Sequence, residues 1–398
     1  MTPASTFQEA IQNKRFLEAE DMINRGDDLL KSQFQFKLAD TFSTIIKNKA
    51  YHVINALIEK NHIEMDIFEY DNFKNSIFES LVLNIDDSQE SIDFLENFIP
   101  EIDNLNDNLQ DDTWLSLAFR YGAPAKVVAA MINSGCDVQY KNNKEESLIQ
   151  VLIATFHHRL TNSLILELLE LAIQNGVDVN HKNKLHETAL HYAISQNKLD
   201  VVEKLLENGA DANIPSKQGK TPYYLAIIEQ FNDETTQKMA AFCPPDFGVE
   251  TGLKTTLLYD FVQACYSSTI SESEKNMFQF FADNGADIAT ENINSYGETE
   301  TVIDCVASKN FEFFDAFFDI FPLDVNATDN HGNTILHKVC AINVNFDEGK
   351  AKDIYRKVKK LINLGADKSI TNTQDKTPVD LASDDNLKEK TVALLLKN

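Results

Sequence analysis

Apolar residues recur along this chain in short bursts of helical spacing that come two at a time. In "TALHYAISQNKLDVVEKLLENGADAN", residues 188–213, Leu190, Ala193 and Ile194 mark one face of a short helix, and Val201, Val202, Leu205 and Leu206 mark a second. Thr188 is placed to cap the first helix with its hydroxyl, and Gly209 to end the second in a left-handed conformation. The pattern predicts a helix-turn-helix with one apolar side. A unit this small cannot bury that side alone, so the sequence demands stacked neighbours.

The unit repeats. A Thr or Ser that opens such a burst, in most cases followed by an apolar residue and, five or six places on, by a small one, recurs at Thr113, Ser147, Thr188, Thr221, Thr255, Thr301, Thr334 and Thr377, at spacings of 34, 41, 33, 34, 46, 33 and 43. Pro222 and Pro378 follow their Thr at the first helical position, where a missing N–H has no helical partner to lose. An Asp closes each unit, at Asp137, Asp178, Asp211, Asp246, Asp287, Asp324 and Asp367, and the next anchor follows 9 or 10 residues later in all cases but one.

The phrases "ETALHYAI", "KTPYYLAI", "NTILHKVC" and "KTPVDLAS", with the closes "NGADAN", "NGADIA" and "LGADKS", resemble the T-P-L-H-x-A opening and G-A-D-x-N close of ankyrin repeats. The resemblance spans residues 110–398 and is weakest at "CPPDF". It implies an all-α ankyrin repeat solenoid of stacked helix-turn-helix units with finger loops, with about eight repeats over 113–398. Residues 1–112 lack the phrases but keep paired helical patterns at 5–14 with 16–24, 34–48 with 50–60, and 73–84 with 90–99. They read as degenerate helical repeats or as a separate helical cap.

Three units carry an excess between Thr and Asp, near 156–162, 266–275 and 342–351. Sharing one topological position, these insertions are expected on one edge. They fit a binding surface or simple loop drift.

Charge adds a polarity. The net charge is −26, from 36 basic and 62 acidic residues, which disfavours nucleic acid as a partner. Residues 62–112 hold 15 acids against Lys74 alone, whereas residues 350–398 are net +4. In "YRKVKK" the apolar spacing of Ile354, Val358, Leu361 and Ile362 leaves Arg356, Lys357, Lys359 and Lys360 off the core stripe, on a solvated face or on a dock for an acidic partner or anionic lipid.

Candidate chemistry is sparse. The five cysteines form no CxxC pair, and His157 and His158 lack a spaced second pair of ligands, so neither metal nor cofactor is expected. His337 and Cys340 stand three apart on one helix, but they fill the His slot and the small apolar slot of the repeat and read as packing residues. No phosphate-loop, dinucleotide, zinc-protease or serine-elbow phrase occurs. The start of the sequence has no signal-like apolar stretch, and no run approaches the ~18 apolar residues of a membrane span.

These readings converge on a monomeric, cytoplasmic protein-interaction scaffold without membrane insertion, whose partner is a protein with a basic patch. The 37 asparagines, beside many Lys and Ile, fit an AT-rich coding sequence, and the chain resembles ankyrin effectors that intracellular bacteria deliver into host cells. The resemblance implies contact residues at the finger tips and the groove side of the first helices: Lys184, Glu187 and Ser195; Lys217 and Lys220; Asn330, His331 and Asn333. The competing reading is an enzyme with an unrecognised site in residues 1–112 or in the insertions.

Overall fold

A computed structural model describes residues 6–26, 38–265, 270–321 and 323–397. Residues 34–37 of one expected helix and 266–269 of the second insertion lie outside the described residues. The chain divides into two compact units, Met1–Asp211 and Ala212–Asn398. The compositional contrast near residue 112 falls inside the first.

The first unit is a run of helix pairs: α1 (Phe7–Gln12) with α2 (Phe16–Arg25), α3 (Leu38–Lys47) with α4 (Tyr51–Glu59), α5 (Ile77–Asn84) with α6 (Gln89–Phe98), α7 (Trp114–Tyr121) with α8 (Ala125–Asn133), α9 (Leu148–Ala154) with α10 (Asn162–Gln174), and α11 (Ala189–Ser195) with α12 (Leu199–Glu207). First helices stack as one layer, α3 on α5 on α7 on α9 on α11. Second helices form another, α6 on α8 on α10 on α12. The single Trp of the chain shows what binds them: Trp114 is buried edge-on against Phe78 at 5.4 Å and Phe98 at 6.1 Å, and its indole N–H donates to the Phe78 carbonyl at 2.9 Å.

The second unit continues the scheme. Helix α13 (Pro222–Tyr224) runs into a π-helical turn, Leu225–Glu229, and α14 (Asp233–Phe242) follows. Then come α15 (Leu257–Ala264) and α16 (Glu272–Asp283), α17 (Val302–Ser308) and α18 (Phe311–Ile320), α19 (Ile335–Ala341) and α20 (Glu348–Asn363), and α21 (Pro378–Ala382) and α22 (Glu389–Leu396). A two-stranded antiparallel ribbon, β1 (Asn292–Ile293) with β2 (Thr299–Glu300), precedes α17. Its core is phenylalanine-rich: Phe278 meets Phe313 at 5.3 Å and Phe317 at 5.7 Å, both edge-on.

The caps match the sequence at Thr113, Ser147, Thr188, Thr221, Thr301, Thr334 and Thr377. The fifth is displaced by one residue, since Thr256 and not Thr255 caps α15. The Thr255 hydroxyl is engaged elsewhere, with Thr251 at 2.6 Å and Asp260 at 3.0 Å.

Part of each insertion is second helix and not loop: α10, α16 and α20 run 13, 12 and 16 residues, against 9 for α12. The first insertion is also tied down, because the Arg159 guanidinium donates to the carbonyls of Val82 and Leu83, both at 3.0 Å, at the end of α5.

The solvated face assigned to "YRKVKK" needs correcting at Lys357, which is only 3% exposed. Its ammonium donates to the Ala307 carbonyl at 2.8 Å and to that of Lys309, closing the C-terminal end of α17. The device recurs. Lys198 reaches the Ile153 carbonyl at 2.6 Å, Lys309 that of Cys265 at 2.9 Å, and Lys388 that of Cys340 at 2.8 Å. In each case a cation from one repeat satisfies carbonyls left over at the end of the preceding first helix, where the helix dipole also favours positive charge. Among the described residues, no helix is long and apolar enough to cross a membrane.

Candidate functional site

Ahead of most first helices the chain makes the same five-residue finger turn. Its opening residue accepts, on its side chain, the N–H groups two and four places on: Asn183 from Leu185 at 2.8 Å and Glu187 at 2.9 Å, Asp329 from His331 at 2.9 Å and Asn333 at 2.8 Å, and Asn294 from Tyr296 and Glu298, each at 3.0 Å. The opening N–H bonds the carbonyl four places on, as Asn183 does with Glu187 at 3.0 Å. The fourth residue takes positive φ, +59° at His186 and +61° at Lys254. At Gly219, with φ +75°, a Cβ would stand 2.6 Å from the Glu250 carbonyl oxygen, so glycine is required there.

Neighbouring turns are cross-linked, Lys184 N–H to the Lys144 carbonyl at 2.9 Å and Thr373 N–H to that of His331 at 2.9 Å. Behind the fingers an asparagine ladder joins repeats. Asn180 donates to the Gly209 carbonyl at 2.9 Å and accepts from the Asp211 N–H at 2.8 Å, and Asn326 does the same with Gly365 and Asp367. Asn213 keeps this clamp at "CPPDF", bonding the Pro244 carbonyl at 2.9 Å and the Asp246 N–H at 2.7 Å.

The residues singled out from the sequence fall on these turns and on α11. Lys184, Lys217, Asn330, His331 and Ser195 are exposed. Glu187, Lys220 and Asn333 are half-buried, and each is used within the fold. Glu187 accepts from Asn183 at 3.3 Å, Lys220 pairs with Glu229 at 2.6 Å above the Tyr224 ring, and Asn333 accepts from Asn372 at 2.9 Å. Asn330 and Asn333 line one pocket, whereas the other six lie elsewhere.

At the third residue of these turns the side chain stands clear of the fold; the sequence singles out His331 there but passes over three others. Leu185 is 58% exposed, Leu253 77% and Tyr296 87%. The readable signal was an Asn, Asp, Ser or Thr five residues before the cap, which puts these tips three residues before it in the Leu185 and Leu253 turns.

Facing the first helices are paired polar groups. Lys338 on α19 lies between Asp304 of α17 and Asp329, 2.7 Å from the latter. Burial opposes its charge, but the two carboxylates outweigh it and hold the ammonium above its ordinary pKa. Tyr192 on α11 donates to Glu146 at 2.6 Å.

The candidate reactive groups have structural duties. His337 Nδ1 accepts the Thr334 N–H at 3.1 Å, which leaves Nε2 to donate to the Lys376 carbonyl at 3.2 Å. Burial pushes the ring below its ordinary pKa. Cys340 is fully buried, and burial raises its thiol to about 12, far from the thiolate a nucleophile needs. His157 and His158 lie with ring centroids 4.3 Å apart in the tied-down insertion, with the His157 ring against Tyr121.

The acidic stretch is partly compensated. Asp86 pairs with Lys49 at 2.9 Å, Asp87 with Lys126 at 3.9 Å and Asp112 with Arg120 at 2.8 Å. Hydroxyls of Ser88 and Ser91, with Lys49, hold the Asp86 carboxyl well below the usual range, so this residue caps the turn before α6.

Residues 173–226 match the family described as ankyrin repeats in many copies. No curated protein matches the chain. Among solved structures, the ankyrin repeat domain of Bcl-3, a member of the IkappaB protein family, is 20% identical with a TM-score of 0.48, over 64% of this chain and all of that one. The chain has an all-α fold of stacked ankyrin-type helix pairs with finger turns.

Proposed function

We propose that this protein is an interaction scaffold that holds a partner protein on its finger tips and on the adjoining face of its first helices. The observation that carries this reading is the exposure of Leu185, Leu253 and Tyr296 on turns whose backbone is already fixed by side-chain hydrogen bonds. Apolar side chains offered to water on a preorganised loop lose little freedom on binding, so most of their burial counts toward affinity. A non-enzymatic role accords with the structural engagement of His337 and Cys340.

The partner carries a basic patch. Glu90, Asp93, Glu96 and Glu101 form no ion pair among the described residues and would steer such a patch toward the chain, which acts as a monomer. The asparagine-rich composition supports the finer reading, an effector of a host-associated bacterium acting on a host protein. On this reading Lys184, Lys217 and Asn330 flank the tips, His331 is itself at one, and all four supply polar contacts.

The test is capture from eukaryotic lysate with the wild-type chain and with Leu253→Ala/Tyr296→Ala, both confirmed folded by circular dichroism. The expected result is a protein retained by the wild type and lost from the tip variant. Equal recovery of every captured protein by both would remove the tips from the function.

A further inference from the structure

Between the ribbon finger before α17 and the Asp329 turn before α19 lies a pocket of about 250 Å3, within the second unit. One wall is apolar, built from Ile303, Leu323 and Ile335. Glu291 and Asp324, both exposed, and the half-buried Lys338 also line it. The charge of Lys338 is already taken up, since its ammonium bonds both Asp304 and Asp329. Glu291 uses one oxygen to accept from the Asn330 amide at 2.8 Å, and Asp324 uses one to accept the Asn326 N–H at 2.9 Å. The second oxygen of each has no hydrogen bond among the described residues. The lining therefore holds three carboxylates, Glu291, Asp324 and Asp329, against one ammonium that two acids share. Its field is negative, and an anionic ligand is excluded.

We infer that this pocket receives an arginine side chain of the partner, its methylene stem against Ile303, Leu323 and Ile335 and its guanidinium on Glu291 and Asp324. The two carboxylates come from different segments of the chain, and a planar group with five donors can serve both where a single ammonium would favour one. The apolar wall suits the stem of a long cation and not a small one. The inference rests on the scaffold reading and adds to it the residue type that is recognised.

The probe is N-acetyl-arginine amide, titrated into the isotope-labelled full chain and followed by amide chemical shifts. Isosteric, uncharged N-acetyl-citrulline amide and apolar N-acetyl-norleucine amide serve as comparisons. Arginine amide should give saturable shifts clustered at Ala327, Asn330 and Asn333, with a Kd on the order of millimolar for so small a ligand. Citrulline amide and norleucine amide should bind at least about tenfold more weakly. Glu291→Gln/Asp324→Asn should lose the arginine shifts while keeping its dispersed spectrum, and Ile303→Ala should weaken binding without abolishing charge selectivity. Three outcomes would overturn the inference: equal binding of citrulline amide, shifts spread over the acidic 62–112 stretch in place of the pocket, or unchanged binding to the double variant. None of them needs the partner protein, so they leave the finger-tip reading standing, and loss of capture by the tip variant tests that reading separately.

Discussion

Replacing Lys357 with Met tests whether a buried cation closes the end of α17. The ammonium lies 2.8 Å from the Ala307 carbonyl, reaches that of Lys309, and sits 5.6 Å from the centre of the Phe314 ring. Burial lowers its pKa from 10.5 to about 8. That depression corresponds to roughly 3 kcal/mol by which the fold disfavours the charged form. Below pH 8 the lysine is charged in both folded and unfolded chains, and this penalty is fully present. Between 8 and 10.5 the folded chain has released the proton while the unfolded chain still holds it, so stability from this group rises with pH. The neutral amine still donates to both carbonyls.

Lys357→Met removes the penalty and the donors together. At neutral pH the two effects, the second on the order of 1–3 kcal/mol, largely offset, and the variant should lie between equal to the wild type and about 2 kcal/mol more stable. Near pH 10 most of the penalty is gone, the loss of the donors dominates, and the variant should be less stable by up to about 2 kcal/mol. Urea unfolding of both chains at several pH values measures the difference, from which titrations common to both cancel. A wild-type advantage that stays constant from about pH 7 to pH 10 would refute the reasoning, because it would mean that the lysine titrates as if in water.

Two further outcomes follow from the hydrogen bonds between and within repeats. Asn180→Ala removes a donor to Gly209 and an acceptor from Asp211, and should destabilise the first unit by about 1–2 kcal/mol in urea unfolding; amide exchange at Asp211 should accelerate with it, and unaltered exchange would dismiss the ladder. His337 folds neutral, with Nδ1 accepting the Thr334 N–H and a pKa below the ordinary 6.5, so the unfolded chain takes up a proton first as pH falls. Its stability contribution is present above about pH 6.5 and is lost on acidification below it, and the melting temperature of His337→Gln should depend less steeply on pH there than that of the wild type.

What the sequence disclosed and what it withheld separate by the range of the interaction. A cap acts over three residues and a helical face over four, so Thr188, Thr334 and the apolar stripe of α12 are written locally. The finger turn is local too, and its rule corrects the one misplaced cap: Thr251 stands five residues before Thr256 as Asn183 stands before Thr188, with Lys254 and His186 at the left-handed position.

Lys357 obeys no such rule. Periodicity places it off the apolar stripe of α20, yet the carbonyls that draw it inward belong to residues 307 and 309, some 50 positions away. Only the stacking of α20 on α18 brings them together. The same holds at the fingers. Spacing locates Leu253 and Tyr296 on their turns, but whether a tip is covered depends on which neighbour reaches over it. Their exposure, on which the functional reading turns, is a property of the assembled repeats.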